Sequence, residues 1–113
     1  MQRAFRAFLS AERRARRRVA GYGAAAKGST LLNTSGVTEA DMGFIVDRNP
    51  NKQFKLVPGC HIPVLPPETL MREKPENVVI LPWNLADEIA AQLEPLRAQG
   101  TRLWVAVPEL RPV

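Results

Sequence analysis

The residues best suited to chemistry form a glycine-rich segment followed by an acid. Gly21, Gly23 and Ala26 follow the spacing Gly-x-Gly-x-x-Ala, and Asp47 lies further along the chain. In dinucleotide-binding folds the first glycine permits a tight turn, the second lets a ligand reach the backbone, and the small third residue lets a helix pack on a strand. A helix beginning there points its free N–H groups toward a phosphate. The spacing therefore predicts a phosphate site at this turn and a ribose contact at Asp47.

A packing interpretation fits the same residues equally well. Glycines also allow a strand and a helix to pack closely without any ligand, and Asp47 could simply cap the turn at Asn49 and Pro50. The segment is not a Walker A loop, because Lys27 precedes Gly28, whereas that motif requires Gly-Lys followed by Ser or Thr. A nucleoside triphosphatase of that class is excluded.

Three further positions each allow a functional and a structural interpretation. Lys27 falls in the first helical turn, where a cation opposes the helix dipole, so it is either an anion contact or a solvated lysine. His61 follows Cys60 on a loop that we expect near a strand end, and it is either a ligand contact or structural. Trp83 and Asn84 either line a cleft or serve as a core side chain and a helix N-cap. One histidine and one cysteine provide neither a catalytic triad nor a metal site.

Composition and charge narrow the class of protein. The chain has 113 residues, enough for one domain, and no apolar run reaches the roughly 18 residues that a membrane span needs. The first 18 residues contain seven arginines and one glutamate, so the remainder is close to neutral. No aromatic residue lies among the arginines from Arg13 to Arg18, which favours a solvated helix face over nucleic-acid binding. The single cysteine, Cys60, fits a reducing cytoplasm.

The elements that position these residues alternate between helix and strand. Apolar spacing predicts an amphipathic helix over 2–16, a helix over 24–35, a helix from Pro66 or Pro67 through Arg72, and a helix opened by Asn84 that Pro95 kinks. Strands are predicted at 19–21, 43–47, 77–81 and 103–107, with 77–81 the clearest buried one. A short edge strand is predicted at 61–65, because Pro63 cannot donate to a central ladder. Such alternation predicts an α/β fold: a three-layer Rossmann-like domain with a mostly parallel sheet of about five strands in the order 3-2-1-4-5.

Taken in order, these motifs resemble the C-terminal domain of the S-adenosylmethionine-dependent sugar C-methyltransferase family. The residues that carry the resemblance are Val19-Ala20-Gly21-Tyr22-Gly23-Ala24-Ala25-Ala26-Lys27-Gly28, Leu31-Leu32-Asn33, Val46-Asp47-Arg48-Asn49-Pro50 with Lys52, Pro58-Gly59, His61-Ile62-Pro63-Val64, and Leu81-Pro82-Trp83-Asn84 with Glu88-Ile89. The resemblance implies a parent enzyme with a zinc-binding domain, a middle domain that binds S-adenosylmethionine, and this C-terminal domain, which methylates a carbon of a nucleotide-linked deoxysugar.

The resemblance also implies a division of labour. Residues 18–113 would form the domain that contacts the nucleotide sugar, and the helical segment 1–17 would link it to the methyltransferase domain. This domain would hold no cofactor, metal or catalytic residue and would be inactive alone. Its expected substrate contacts are Tyr22, Gly23, Lys27, Asp47, His61 and Asn84. Two alternatives remain: a dinucleotide-binding module of an oxidoreductase, and a small basic domain that binds a partner through its first helix.

Overall fold

The computed structural model describes residues 2–24, 26–106 and 110–113 and contains a six-stranded sheet between two layers of helices. The strands are β1 (Val19–Tyr22), β2 (Ile45–Val46), β3 (Val64–Leu65), β4 (Asn77–Ile80), β5 (Arg102–Val105) and β6 (Arg111–Pro112). The helices are α1 (Gln2–Arg14), α2 (Ala26–Thr34), α3 (Glu68–Glu73), α4 (Ala86–Gln92) and α5 (Glu94–Ala98), and a 3-10 turn spans Trp83–Leu85.

The strands lie in the order β3-β2-β1-β4-β5-β6, and the first five are parallel. This confirms the predicted Rossmann-like fold and the order 3-2-1-4-5. A sixth strand, β6, pairs antiparallel to β5 and extends the predicted sheet. The parallel strands all begin at one edge of the sheet, here named the amino edge, and all end at the opposite edge, named the carboxyl edge. Ligands of open α/β sheets bind at the carboxyl edge.

Alternate residues of the central strands face the two helical layers. Val19 and Val79 pack with Leu32 of α2, whereas Ala20 and Val78 pack toward the layer formed by α3, α4 and α5. All four residues of β4 are buried, as expected for a parallel strand covered on both faces. The continuous apolar run at 77–81 therefore correctly predicted a strand near the centre of the sheet.

Helix α1 is part of the core rather than an appendage to the domain. Phe5 and Leu9 have no solvent exposure and lie in the same cluster as Leu32 and Val79. Burial of two such side chains stabilises the fold by about 3 to 6 kcal/mol. The sequence pattern predicted a helix over 2–16, close to the observed bounds of α1. Its role as a linker to another domain stays a prediction.

The segment after β4 differs from the prediction in three ways. The 3-10 turn precedes α4, so the helix begins after Leu85, and Asn84 is exposed and does not cap it. Trp83 is 44% exposed and is not a core residue, and Leu85 is 42% exposed although helical spacing placed it on the apolar face. The physical reason is the preceding Pro82, whose carbonyl accepts the Leu85 N–H at 2.9 Å and closes a tighter turn.

Pro95 interrupts the following helix, as predicted. Helix α4 ends at Gln92, and α5 begins at Glu94 with Pro95 in its first turn. Proline fits there because the first helical N–H groups need no partner within the helix. Within the described residues, every helix is too short or too polar to serve as a membrane span.

Candidate functional site

The space beside the glycine-rich turn at the carboxyl edge is filled by another residue of the same chain. Gly23 has a φ of +93°, a conformation that favours glycine, and its N–H donates to the Val46 carbonyl at 2.8 Å. A Cβ on Gly23 would lie 2.6 Å from Cδ of Pro82. The proline ring therefore occupies the space beside Gly23 through which a ligand would reach the backbone.

The two neighbouring glycines also have packing partners. A Cβ on Gly21 would lie 3.0 Å from side-chain atoms of Ile45 and Met42, and one on Gly28 would lie 3.0 Å from Cβ of Leu81. Both contacts join the first strand and helix to neighbouring segments. Between the two interpretations that the sequence left open, these contacts provide a packing reason for each glycine. The phosphate site at the turn stays a prediction.

Asp47 follows β2 and joins two turns at the carboxyl edge. One carboxylate oxygen accepts the Ala24 N–H at 2.8 Å, and the other accepts the Asn49 N–H at 2.8 Å. Asp47 thus caps the turn at Asn49 and also fixes the glycine-rich turn. Each carboxylate oxygen can accept more than one hydrogen bond, so Asp47 keeps acceptor capacity for a ligand hydroxyl.

A cleft of about 280 Å³ opens beside Asp47, between the ends of the central strands and α4. We name it the Asp47 cleft. Its lining residues are Tyr22, Gly23, Asp47, Arg48, Pro82, Leu85, Glu88, Ile89 and Gln92. The structure therefore brings together three of the predicted site residues, Tyr22, Gly23 and Asp47. The cleft continues into a second one of about 440 Å³, which shares Tyr22, Arg48 and Gln92 with it.

Tyr22 is oriented at the wall of this cleft by a polar partner. Its hydroxyl donates to Oε1 of Gln92 at 3.2 Å, and 6% of the residue is exposed. Burial raises the pKa of the Tyr22 phenol, partly offset by the positive charge of Arg48. Tyr22 is therefore neutral at physiological pH and serves as a hydrogen-bonding group rather than as an anion.

Of the other three predicted site residues, His61 and Asn84 are not among the described residues that line the Asp47 cleft. Lys27 lies in α2, but its side chain is outside the described part of the structure. Asn84 is exposed on the 3-10 turn beside Leu85, which lines the cleft. The role of each as a ligand contact stays a prediction.

His61 lies on a hairpin rather than at a strand end. The segment before it folds back, since Phe54 N–H donates to Val64 and Val57 N–H donates to Ile62. Residues ahead of β3 approach the sheet from its amino edge, because β3 runs parallel to β2. The expectation that this loop lies beside the ligand edge therefore does not match the structure. The ligand role of His61 stays a prediction.

Sequence reasoning missed Arg48, Glu88 and Gln92 as cleft residues. Arg48 could have been found, because it directly follows the acid that ends β2. Glu88 lies in a segment that carries the family resemblance, as Arg48 does, so the resemblance could have pointed to it. Gln92 gave no signal, since only the packing of α4 against the sheet brings it near Tyr22. In the described part of the chain, no group of three or more His, Cys, Asp or Glu side chains is arranged to hold a metal ion.

The basic side chains at the carboxyl edge differ from Arg6, Arg17 and Arg102, which pair with acids, in having no ion pair within the described residues. No ion pair forms at Arg48, Lys52 or Lys55 within the described ranges. Asp47 is the nearest acid in sequence, but its oxygens are bonded to backbone N–H groups. Arg48 and the two lysines are therefore available to an anionic ligand, beside the carboxylates of Asp47 and Glu88.

Known proteins share both the sequence and the fold of this chain. The family described as "C-methyltransferase C-terminal domain" matches residues 1–108. The C-methyltransferase NovU of Streptomyces niveus is 39% identical over 93 residues, which are 82% of this chain and 22% of NovU. This chain thus spans about a fifth of the length of that relative.

A solved structure shares the fold alone. UDP-D-quinovosamine 4-dehydrogenase from Vibrio fischeri superposes with a TM-score of 0.60, covering 86% of this chain and 93% of that chain at 14% identity. The fold thus recurs in a protein with little sequence in common. The family match carries the assignment: with nearly the whole chain matched, this chain belongs to the C-methyltransferase C-terminal domain family.

Proposed function

We propose that this chain is the nucleotide-sugar-contacting domain of an S-adenosylmethionine-dependent C-methyltransferase that acts on a nucleotide-linked deoxysugar. The observation that carries the proposal is the Asp47 cleft, where a carboxylate, a neutral phenol and an arginine without an ion pair in the described residues meet at the carboxyl edge. A sugar offers hydroxyl groups to the first two, and a diphosphate offers negative charge to the third. Together these groups match the chemistry of a nucleotide-linked sugar.

The proposed division of chemistry places methyl transfer outside this chain. The carbon next to a sugar keto group loses a proton, and the resulting enolate carbon takes the methyl group from the sulfonium of S-adenosylmethionine. We propose that the residues for both steps lie in the remainder of a longer enzyme, as the fraction of NovU covered here suggests. This chain's residues bind and orient the substrate, and it is inactive alone.

The glycine-rich turn does not fit S-adenosylmethionine or a dinucleotide. Such cofactors approach the second glycine of the turn closely, and here Pro82 fills that space beside Gly23. This contact favours the nucleotide-sugar proposal over the oxidoreductase alternative. The dehydrogenase that shares the fold is named for a UDP-linked sugar, which is compatible with a sugar nucleotide on this scaffold.

The basic-adaptor alternative loses support from the arginine contacts. Arg6 is paired with Asp41 and Arg17 with Glu12, so these side chains fix α1 to its own domain. Arg14 and Arg16 are exposed and form no ion pair within the described residues, so the alternative is weakened only for the Arg6 and Arg17 part of this face.

The proposal is tested by titrating the isotope-labelled chain separately with a nucleoside-diphosphate-linked deoxysugar, NAD and S-adenosylmethionine. We expect the sugar nucleotide to shift the backbone amide signals of Tyr22, Gly23 and Arg48. Asp47→Asn should weaken binding about tenfold, because it removes a charged acceptor. Asp87→Asn is the matched control, because Asp87 is exposed on α4 and is not among the lining residues of the cleft.

Two outcomes would contradict the proposal. Shifts produced by NAD alone would favour the oxidoreductase module. Equal loss of binding in Asp47→Asn and Asp87→Asn would remove the Asp47 cleft as the site. Incubation of the chain with both S-adenosylmethionine and the sugar nucleotide should give no methylated sugar, and formation of that product would show that the chain is active alone.

A further inference from the structure

A separate cleft of about 270 Å³ lies on the other side of the glycine-rich turn, between α2 and the segment after β2. We name it the lysine cleft. Its lining residues are Ala24, Ser29, Asn51, Lys52, Lys55, Leu56, Val57, Pro58 and Val64. None of them was among the predicted site residues, although Ala24 belongs to the turn itself.

The charge of this cleft is unbalanced. Two lysines and no carboxylate line it, and neither lysine forms an ion pair in the part of the chain that the structure describes. Lys52 Nζ donates to the Ala24 carbonyl at 3.2 Å, which holds the ammonium group at the cleft and leaves further N–H donors available. An anion bound in this cleft would be stabilised by the charge of the two lysines that line it.

The opposite wall of the cleft is apolar. Val57 and Val64 are buried there, whereas Leu56 is 57% exposed. Exposed apolar side chains beside cationic groups match a ligand with an apolar body and a charged end. A nucleoside phosphate has this form, since its base is a flat ring and its phosphate is anionic.

Ala24 connects the lysine cleft to the Asp47 cleft. Its N–H donates to Asp47, and its carbonyl accepts from Lys52, so the groups of the two clefts are bonded to the same residue. The usual phosphate position beside Gly23 is filled by Pro82. A phosphate bound at this edge would therefore contact the lysines of the lysine cleft, beside the turn, and not the space next to Gly23.

We infer that the lysine cleft binds the nucleoside phosphate end of the substrate, with the phosphate at Lys52 and Lys55 and the base against Leu56 and Pro58. The inference rests on the proposed function and adds to it the position of the nucleotide. The sugar then extends past Ala24 toward Asp47.

The test uses the full chain and four probes: uridine 5′-monophosphate, thymidine 5′-monophosphate, the nucleoside thymidine and inorganic phosphate. Binding is followed by backbone amide shifts at low ionic strength, where screening is weak. We expect one of the monophosphates to shift amide signals within residues 51–58 and to bind more tightly than thymidine or inorganic phosphate. Tighter binding requires both the anion and the base.

Lys55→Gln is the decisive variant, because no hydrogen bond or ion pair of its side chain supports the described part of the fold. It should weaken monophosphate binding about tenfold. Arg14→Gln is the matched control: it also removes one exposed positive charge, but it lies at the end of α1. Lys52→Gln should behave like Lys55→Gln.

Three results would overturn the inference. Equal weakening by Lys55→Gln and Arg14→Gln would indicate only general electrostatic attraction. Inorganic phosphate binding as tightly as the monophosphates would indicate an anion site without a nucleoside. An unchanged affinity of Lys55→Gln for the intact nucleotide sugar, with shifts still present at Tyr22 and Arg48, would refute the inference while leaving the proposed function supported.

Discussion

Two basic regions of this molecule differ in what their positive charges contact. At the amino edge, Arg17 and Arg102 both bind the buried carboxylate of Glu12, and Arg6 forms two hydrogen bonds to Asp41. At the carboxyl edge, Arg48 and the two lysines of the lysine cleft have no ion pair within the described residues.

This difference assigns a structural role to the paired arginines of the arginine-rich start. Glu12 also accepts the Asn77 amide at 2.7 Å, and Asn77 in turn accepts the Trp104 indole N–H at 3.0 Å. The network joins α1 to the first residues of β4 and β5. A cation bound in such a network is not available to a ligand, whereas an unpaired cation beside a cleft is. Pairing therefore separates Arg6, Arg17 and Arg102 from the cations at the carboxyl edge, whereas Arg16, which lines a cleft at the amino edge, also has no ion pair within the described residues.

Acidification should produce the largest difference between the regions, because it acts on Glu12 and Asp41 together and also on Glu76, whose pKa is lowered by the hydrogen bond from the Arg18 backbone N–H. The hydrogen bond from Arg17 lowers the pKa of Glu12, and the hydrogen bond from Arg6 lowers the pKa of Asp41. A carboxylate with a lowered pKa in the folded state stabilises the fold above its unfolded value of about 4 and loses that contribution as pH falls through the folded pKa.

The free energy of unfolding, measured by urea denaturation at a series of pH values, should therefore be steady near neutrality and fall below about pH 4. The double variant Glu12→Gln with Asp41→Asn should be less stable at neutral pH and should show a shallower fall. An equally steep fall in the double variant would place the acid sensitivity elsewhere.

Glu12→Gln alone should lower the free energy of unfolding by about 3 kcal/mol, because it leaves charged donors around a buried site without their anion. Glu12 is 4% exposed, and Glu88 in the Asp47 cleft is exposed. Glu88→Gln is the matched change at the carboxyl edge and should alter stability by no more than about 0.5 kcal/mol. Similar losses in both variants would contradict the contrast between the two edges.

Gly23→Ala should lower the free energy of unfolding by about 2 kcal/mol, because the added methyl group meets Pro82 and the backbone conformation disfavours alanine. Gly36→Ala separates the two causes: Gly36 also has a positive φ, at +66°, but no atom lies within 4 Å of the added Cβ. It should therefore cost only about 1 kcal/mol. Chemical denaturation measures the free energy of unfolding of both variants. An equal loss in Gly23→Ala and Gly36→Ala would show that Pro82 does not close the turn.

Arg48→Gln should have the smallest effect on stability, within about 0.5 kcal/mol, because Arg48 is exposed and has no ion pair in the described part of the chain. Its affinity for the nucleotide sugar should fall about tenfold. Arg17→Gln at the amino edge should show the reverse pattern, with reduced thermal stability and unchanged affinity. If either Arg48→Gln or Arg17→Gln reduced both the stability and the affinity for the nucleotide sugar, the contrast between the two edges would be contradicted.

The local pattern of the sequence was sufficient for most of the fold. The apolar run at 77–81 and the small residues at 19–21 predicted the central strands, and Phe5 with Leu9 predicted the first helix. Such predictions succeed because hydrophobic periodicity reflects how each element is buried. They were less accurate after β4, where the sequence predicted that the helix begins at Asn84. There the residues after Pro82 form a 3-10 turn instead, and α4 begins later.

The candidate site was predicted only in part, because its members are brought together by packing. Asp47 was proposed from its position at the end of a strand and Tyr22 from the family resemblance, and both line the Asp47 cleft. Gln92 was not found, since its contact with Tyr22 joins residues 70 positions apart. His61 was expected near the ligand edge, but the hairpin formed by Phe54 and Val64 places it ahead of β3.

The sequence by itself determined that this protein is a mostly parallel α/β domain, because the alternation of buried strands and amphipathic helices permits few other arrangements. Only the tertiary structure decided what its glycines and charges do. Pro82 closes the turn at Gly23 from the far side of the central strands, and the amino-edge arginines find acids elsewhere in the fold. The physical reason is that a motif records local backbone geometry, whereas access and charge pairing depend on what the folded chain places beside it.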